Sequence, residues 1–316
     1  MARDTELRFN ALLNQLKPKV RQSFIDAVRD IASTARFNDL VRALERGNVD
    51  EAMRILNISN EFYKPLENAL VDVFMSGGNY AVDSLPQRNP ETGAQIIVRF
   101  GVQSESAQEW LRRQSSRLIV EITESQRAAA RHILTDGLSR GDNPRKTAIE
   151  LVGKFDPSTG RRTGGTIGLT SREAAAVQKR RLDLINDGKT ATQADKLAGR
   201  YASKLLKLRG ERIARTETMA ALNAGRMEAM RQAISAGQIR ADAVTKIWMS
   251  ARDARTRDAH RMLDGSVADL DKPFQSPLTG SFMAYPGDTS YGARGEDVIN
   301  CRCTFRFKTD YRKGLR

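Results

Sequence analysis

The sequence is poor in the residues that most often mark chemistry. Its 316 residues include two cysteines, two histidines and two tryptophans, and aromatic residues make up 6%. Two cysteines one residue apart cannot staple a small secreted scaffold. No apolar run is long enough for a bilayer-spanning helix, and the opening Met-Ala-Arg-Asp-Thr-Glu carries no apolar leader core. The expected setting is a reducing, aqueous compartment with no membrane partner. Few aromatics beside abundant Ala, Arg and Leu favour helices over sheets. Acidic residues are also in deficit, with 38 Asp and Glu against 52 Lys and Arg, a net charge of +14. That imbalance points to a polyanionic partner, double-stranded DNA first.

What is present reads mainly as α: a helical N-terminal body with long helices plus a small C-terminal α+β module. Leu12, Leu13, Leu16, Val20, Phe24, Ala27, Val28 and Ile31 recur at helical spacing. Shorter helices follow Gly47-Asn48 and Asn60, the latter expected to stop at Gly77-Gly78. Strand candidates are 95–100 and 118–122, the second dividing helices expected over 104–116 and 123–138. Thr170 or Ser171 caps a helix with Glu173 in its first turn. A long helical run covers about 193–236, with Gly210 as a possible hinge and small residues (Ala214, Ala220, Ala221, Ala224, Gly225) permitting close approach. From Val244 the pattern changes. Residues 246–249 predict a strand, 256–263 a short helix, 266–285 an irregular or β-rich stretch, and 302–308 a closing strand. The expected division is a helical body over 1–155, a basic loop and helices over 156–204, and the C-terminal module over 205–316.

Charge concentrates in the middle. From Pro157 to Arg215 there are fourteen Lys or Arg and five Asp or Glu. No base-reading motif accompanies them, so the expected contact is with phosphates, independent of sequence. The candidates are Arg161, Arg162, Lys179, Arg180, Arg181, Lys204, Lys207 and Arg209.

Both cysteines and one histidine fall in one ordered series. It runs Arg212-Ile-Ala-Arg-Thr-Glu-Thr218, Asn223-Ala-Gly225, Trp248, Asp253-x-Arg255-x-Arg257-x-x-His260, Leu263-Asp264-Gly265, Phe274, Pro286-Gly-Asp288 and Val298-Ile-Asn-Cys301-Arg302-Cys303-Thr304. Over about 205–307 this series closely resembles the phage Mu F-like head morphogenesis family, the SPP1-type minor head proteins. The resemblance implies a minor capsid protein of a tailed double-stranded DNA phage or prophage. Such a protein would lie in the virion near the portal vertex, and in the host cytoplasm during assembly. Its implied partners are the portal, the major capsid or scaffold protein, and DNA during packaging or ejection. Some relatives carry a C-x-x-C just before the Leu-Asp-Gly and a histidine just before the C-x-C. Here Arg257 and Val298 stand at those places, with His260 at the second position of the pair.

Several chemistries remain open for this series. His260, Cys301 and Cys303, with Asp253 as a fourth donor, could hold zinc, although Arg255, Arg257 and Arg302 oppose a cation. Alternatively Glu217, Asp253, Arg255, His260, Asp264 and Arg302 form a structural polar network that fastens the short helix to the closing strand. This network accounts best for charged residues clustered without a substrate, and it needs no cofactor. A disulfide is disfavoured in a reducing compartment, with the cysteines read as lying on opposite phases of a strand or in a tight turn. A DNA-processing enzyme or effector using His260, Cys301 and Cys303 is the competing class. It lacks a second nearby histidine, a phosphate loop and a magnesium-binding acidic cluster.

Overall fold

The computed structural model describes residues 2–313. The chain order is α1 (Ala2–Thr34), α2 (Phe37–Glu45), α3 (Val49–Leu56), α4 (Lys64–Asp83), α5 (Glu105–Ser139), α6 (Pro144–Val152), β1 (Lys154–Asp156), β2 (Arg161–Thr163), α7 (Ser171–Asn186) and α8 (Ala191–Ser235). The C-terminal part adds β3 (Val244–Met249), α9 (Asp258–Leu263), β4 (Val267–Asp269), β5 (Phe274–Gln275), β6 (Phe282–Met283), α10 (Gly295–Val298) and β7 (Thr304–Thr309). The chain is thus mainly helical, with a small antiparallel β portion at its C-terminal end.

The chain groups into two units. One holds α1 up to Val20, Asn68–Arg113 and everything from Arg212 onward; the other holds Arg21–Glu67 and Gln114–Glu211. The consecutive division expected at residues 155 and 204 cuts the chain differently, because α1, α4, α5 and α8 each give a segment to both units.

In the second unit the core forms around Phe24, Tyr63, Leu40, Leu44, Leu66 and Leu134, all essentially inaccessible. Phe24 stacks on Tyr63 with ring centroids 6.3 Å apart. The run 118–122 is helical, inside an unbroken α5. Leu118, Ile119 and Ile122 are buried at i, i+1 and i+4, so one helical face accounts for the apolar cluster. After α6 the chain forms the hairpin β1–β2, with Lys154 opposite Thr163, and the stretch leading on to α7 is anchored by buried Ile167 and Leu169. Thr170 caps α7 in a capping box: its hydroxyl accepts from the Glu173 amide (3.2 Å), and the Glu173 carboxylate accepts from the Thr170 amide (3.0 Å).

In the first unit two helices meet backbone to backbone. A Cβ on Gly225 would lie 2.0 Å from the Phe74 carbonyl oxygen, and one on Gly77 would lie 2.3 Å from that of Leu222. The glycines at 77 and 78, expected to stop α4, lie inside it, because close approach requires them. Gly210 likewise lies within a continuous α8. Segment 95–100 pairs only through an isolated bridge between Arg88 and Gln95. The Gln238 and Gln232 side-chain oxygens accept from the amides of Ile97 (2.9 Å) and Gly101 (3.1 Å) and hold it as an extended linker.

The C-terminal sheet has the order β4–β3–β7, all antiparallel, with Trp248 opposite Phe305 and Ile247 opposite Val267. β5 and β6 form a separate hairpin, Phe274 opposite Met283. Trp248, Leu263, Phe274, Met283, Val298, Cys301 and Cys303 form one apolar core. Pro286-Gly-Asp288 is a turn resting on α8. The Pro286 carbonyl accepts from Asn223 Nδ2 (2.9 Å), and Gly287 (φ 89°) leaves room against Ala220.

Candidate functional site

The ordered series converges in space as two adjoining clusters, one at the surface and one buried. At the surface, Arg302 grips Asp253 with both guanidinium nitrogens, one bond being 2.7 Å from Nη2 to Oδ1. The same carboxylate accepts from the Arg255 amide (3.0 Å) and from Thr256 Oγ1 (3.2 Å). The Arg302 hydrogen bond holds the Asp253 carboxyl well below the ordinary carboxylate range. Asp264 accepts from the Ser250 amide (2.8 Å) and from Arg252 Nε (2.9 Å), pinning the strand end beside Arg252, whose φ is +51°. Arg255 is exposed, 3.8 Å from Asp253. Glu217 is buried in α8.

The inner cluster is closed to water. His260, from α9, directs Nδ1 at Cys303 Sγ (3.4 Å) and Cys301 Sγ (3.6 Å), and Nε2 at Asp297 Oδ1 (3.4 Å). All four side chains are at most 2% exposed. Asp297 also accepts from Thr279 Oγ1 and Ser276 Oγ, and the imidazole packs edge-on against Trp248, centroids 5.4 Å apart. Both cysteines are free thiols. Their side chains point to the same side, not to opposite phases, because residues two apart in extended chain share a face. Asn300 sets their approach: its φ of +58° is a conformation Asn tolerates, and its amide donates to Thr216 Oγ1 (2.9 Å). Hydrogen bonds from Cys301 and His260 hold the Cys303 thiol below the ordinary thiol range, while Cys301, bonded to it and buried, is pushed up. A low thiol pKa in a cysteine–histidine–carboxylate row has the order of a thiol enzyme's machinery. However, the row is buried, and the 430 Å³ hollow of this unit is lined by Phe9, Tyr80, Arg226 and residues of β7, not by any member of the row.

Metal fit can be tested on distances. Tetrahedral zinc with ordinary Zn–S and Zn–N bonds places the nitrogen about 3.5 Å from each sulfur, close to what is seen here. Asp297 behind the imidazole matches the carboxylate that orients a metal-bound histidine. Among the described residues the donor group is His260, Cys301 and Cys303, and no fourth protein donor joins it. Asp253, expected as that donor, is taken by Arg302. Without a metal, Nδ1 shares hydrogen bonds with the two thiols, whereas Nε2 stands 3.4 Å from Asp297 Oδ1 without making a hydrogen bond.

Two members of the site were not singled out in the sequence. Asp297 sits in an unremarked Gly-Glu-Asp-Val turn, and no spacing rule ties it to a histidine 37 positions earlier. Arg226 follows Asn223-Ala-Gly225 and is fully buried. It donates to Thr304 Oγ1 (2.8 Å) and the Phe305 carbonyl (2.5 Å), and it lies over the Phe305 ring at 4.4 Å. It thereby ties β7 to α8.

The basic candidates separate clearly. Arg161, Arg180, Lys204 and Lys207 are exposed. Lys179 is exposed beside Asp183 (3.2 Å), and Arg181 is committed to Asp195 (2.5 Å). Arg162 is half-buried over the Phe37 ring at 4.5 Å. Arg209 is buried, donating to the Gly168 carbonyl (2.7 Å) and lying over the Phe24 ring, so it is a core residue and not a phosphate contact.

Comparison with known proteins gives two findings. Residues 129–306 match the family described as Phage Mu protein F like protein. The chain is similar to Minor head protein GP7 of Bacillus phage SPP1, 31% identical over 144 residues. That alignment covers 42% of this chain and 44% of the relative, so the chain spans less than half the length of the curated protein it matches. No solved structure matches.

Proposed function

Starting from the family to which this chain belongs, Phage Mu protein F like protein, we propose that it is a minor head protein of a tailed double-stranded DNA phage or prophage. In this reading it associates with the portal and with capsid or scaffold protein during head assembly. It touches DNA without sequence preference as the genome is packaged or ejected, and it performs no chemistry itself. The observation that carries the structural role is the closed cluster of His260, Cys301, Cys303 and Asp297. Its groups face one another, buried, inside a core built on Trp248. Such a cluster fastens α9 to the segment entering β7. Exposed Arg161, Arg180, Lys204 and Lys207 supply the phosphate contacts.

The decisive experiment locates the protein in assembled heads by copy number and by crosslinks to the portal. A low, fixed copy number with portal crosslinks is expected, and absence from purified heads sinks the proposal. The enzymatic alternative is tested by incubating DNA with the protein and divalent metal. Cleavage that disappears in His260→Ala would replace the structural reading.

A further inference from the structure

The second unit carries a concavity of its own, lined by residues outside the family's ordered series. It is a cleft of about 710 Å³ between α6, the β1–β2 hairpin, α7 and the first turns of α8. Its walls come close because two glycines face each other: a Cβ on Gly164 would stand 3.1 Å from the Gly199 Cα. Buried Val177 and Ala198 and half-buried Ile149 give it an apolar interior.

The rim is strongly one-signed. Six Lys or Arg side chains line the cleft against Glu150 and Asp195. Two of the six are neutralised, Lys146 by Asp142 (2.9 Å) and Arg181 by Asp195 (2.5 Å). Arg145, Lys154, Lys196 and Arg200 are exposed and have no acidic partner among the described residues. Glu150 is half-buried, and that burial raises its carboxyl pKa.

Three occupants can be compared. Duplex DNA presents a convex phosphate surface, which meets exposed ridges more readily than a cleft with an apolar floor. Single-stranded nucleic acid is gripped by aromatic platforms on which bases stack, and no lining residue is aromatic. A peptide that is apolar on one side and acidic on the other satisfies both halves of the site. Apolar anchors fill the interior, and carboxylates meet the four free cations. We infer that this cleft is a docking site for an acidic, amphipathic peptide segment of a partner protein, distinct from the exposed basic residues that meet DNA. The inference is independent of the head-assembly reading, because it is drawn from one unit's surface and tested on purified protein.

The test uses the full chain and a short fluorescein-labelled peptide of Leu and Glu, followed by anisotropy. Saturable one-to-one binding is expected. The peptide with Gln for every Glu should bind at least about tenfold more weakly, as loss of charge-assisted bonds requires. Lys196→Glu with Arg200→Glu, both exposed, should do the same, and so should Thr192→Trp, which adds bulk at the cleft without changing charge. Lys204→Glu with Lys207→Glu, on the same helix but outside the cleft, should leave binding unchanged. Absence of saturable binding overturns the proposal, as does equal weakening by the two charge-reversal pairs. Oligothymidylate displacing the peptide at lower concentration than unlabelled peptide would reassign the cleft to single-stranded nucleic acid.

Discussion

At the scale of single residues, the inner cluster is held by packing and by the bonds of one histidine edge. His260 meets two thiols through Nδ1 and packs on Trp248, while Asp297, beside Nε2, keeps its own bonds from Thr279 and Ser276. His260→Ala should cost about 2–5 kcal/mol in denaturant unfolding, the usual loss when a large buried side chain is truncated. His260→Ala with Asp297→Ala should cost less than the two single losses added, because the two side chains are in contact. Protein purified without chelator should carry no stoichiometric zinc. One zinc per chain by elemental analysis would make His260, Cys301 and Cys303 ligands instead. Lys246 offers a second residue-scale prediction. It is fully buried in β3, its ammonium has no hydrogen-bond partner among the described residues, and it stands 5.3 Å from the Phe274 ring centre. Burial lowers its pKa to about 8; nearby Arg231 lowers it too, and Asp288 and Asp271 oppose this. The folded pKa lies below the unfolded one, so between about pH 8 and 10.4 the unfolded chain binds more protons and stability rises with pH. Lys246→Met should flatten that rise and stabilise the protein at neutral pH by about 1–3 kcal/mol, the usual cost of an unsatisfied buried polar group.

At the scale of elements, position within an element decides what a residue means. Gly77 and Gly78 read as breakers in the sequence, yet they lie in mid-helix, where the Leu222 backbone leaves no room for a Cβ on Gly77 and the Phe100 ring leaves none on Gly78. Gly225→Ala should therefore destabilise by well over the ~1 kcal/mol that Gly-to-Ala ordinarily gains in a helix, with the opposite sign. Gly101→Ala, which meets open space without a positive φ, should leave the melting temperature unchanged. The run 118–122 shows the converse error. Its β-branched composition suggests a strand, but its neighbours continue the helical period, and tertiary burial of one face overrides local preference. Where local chemistry is self-contained, sequence reading succeeds. The Thr170–Glu173 capping box forms as expected, because both partners lie within one turn.

At the scale of the whole molecule, a charge of +14 favours polyanions and underlies the proposed contact with DNA. Affinity for DNA should fall steeply with salt and vary little with sequence. Replacing Arg161, Arg180, Lys204 and Lys207 together by Ala should reduce the log–log salt slope by up to about 3–4, at ~0.9 per phosphate contact. Arg209→Ala should lower the melting temperature without that change in slope, since its guanidinium is spent on the Gly168 carbonyl and the Phe24 ring. Titration of binding against salt for both variants checks the distinction.

The sequence by itself determined the helical character, the family and the positions of the C-terminal strands and short helix. These follow from periodicity, composition and an ordered motif, all of which are local or one-dimensional. It also placed His260, Cys301 and Cys303 in one series. Only the tertiary structure decided how those residues are used: Asp253 pairs with Arg302, Asp297 backs His260, and the cysteines share a face. It also withdrew Arg209 from the surface and made two apparent breakers points of close approach, Gly77 to the α8 backbone and Gly78 to the Phe100 ring. The physical reason is common to all of these. Partnership and burial depend on which distant segments meet, and charge, spacing and propensity along the chain carry no term for that meeting.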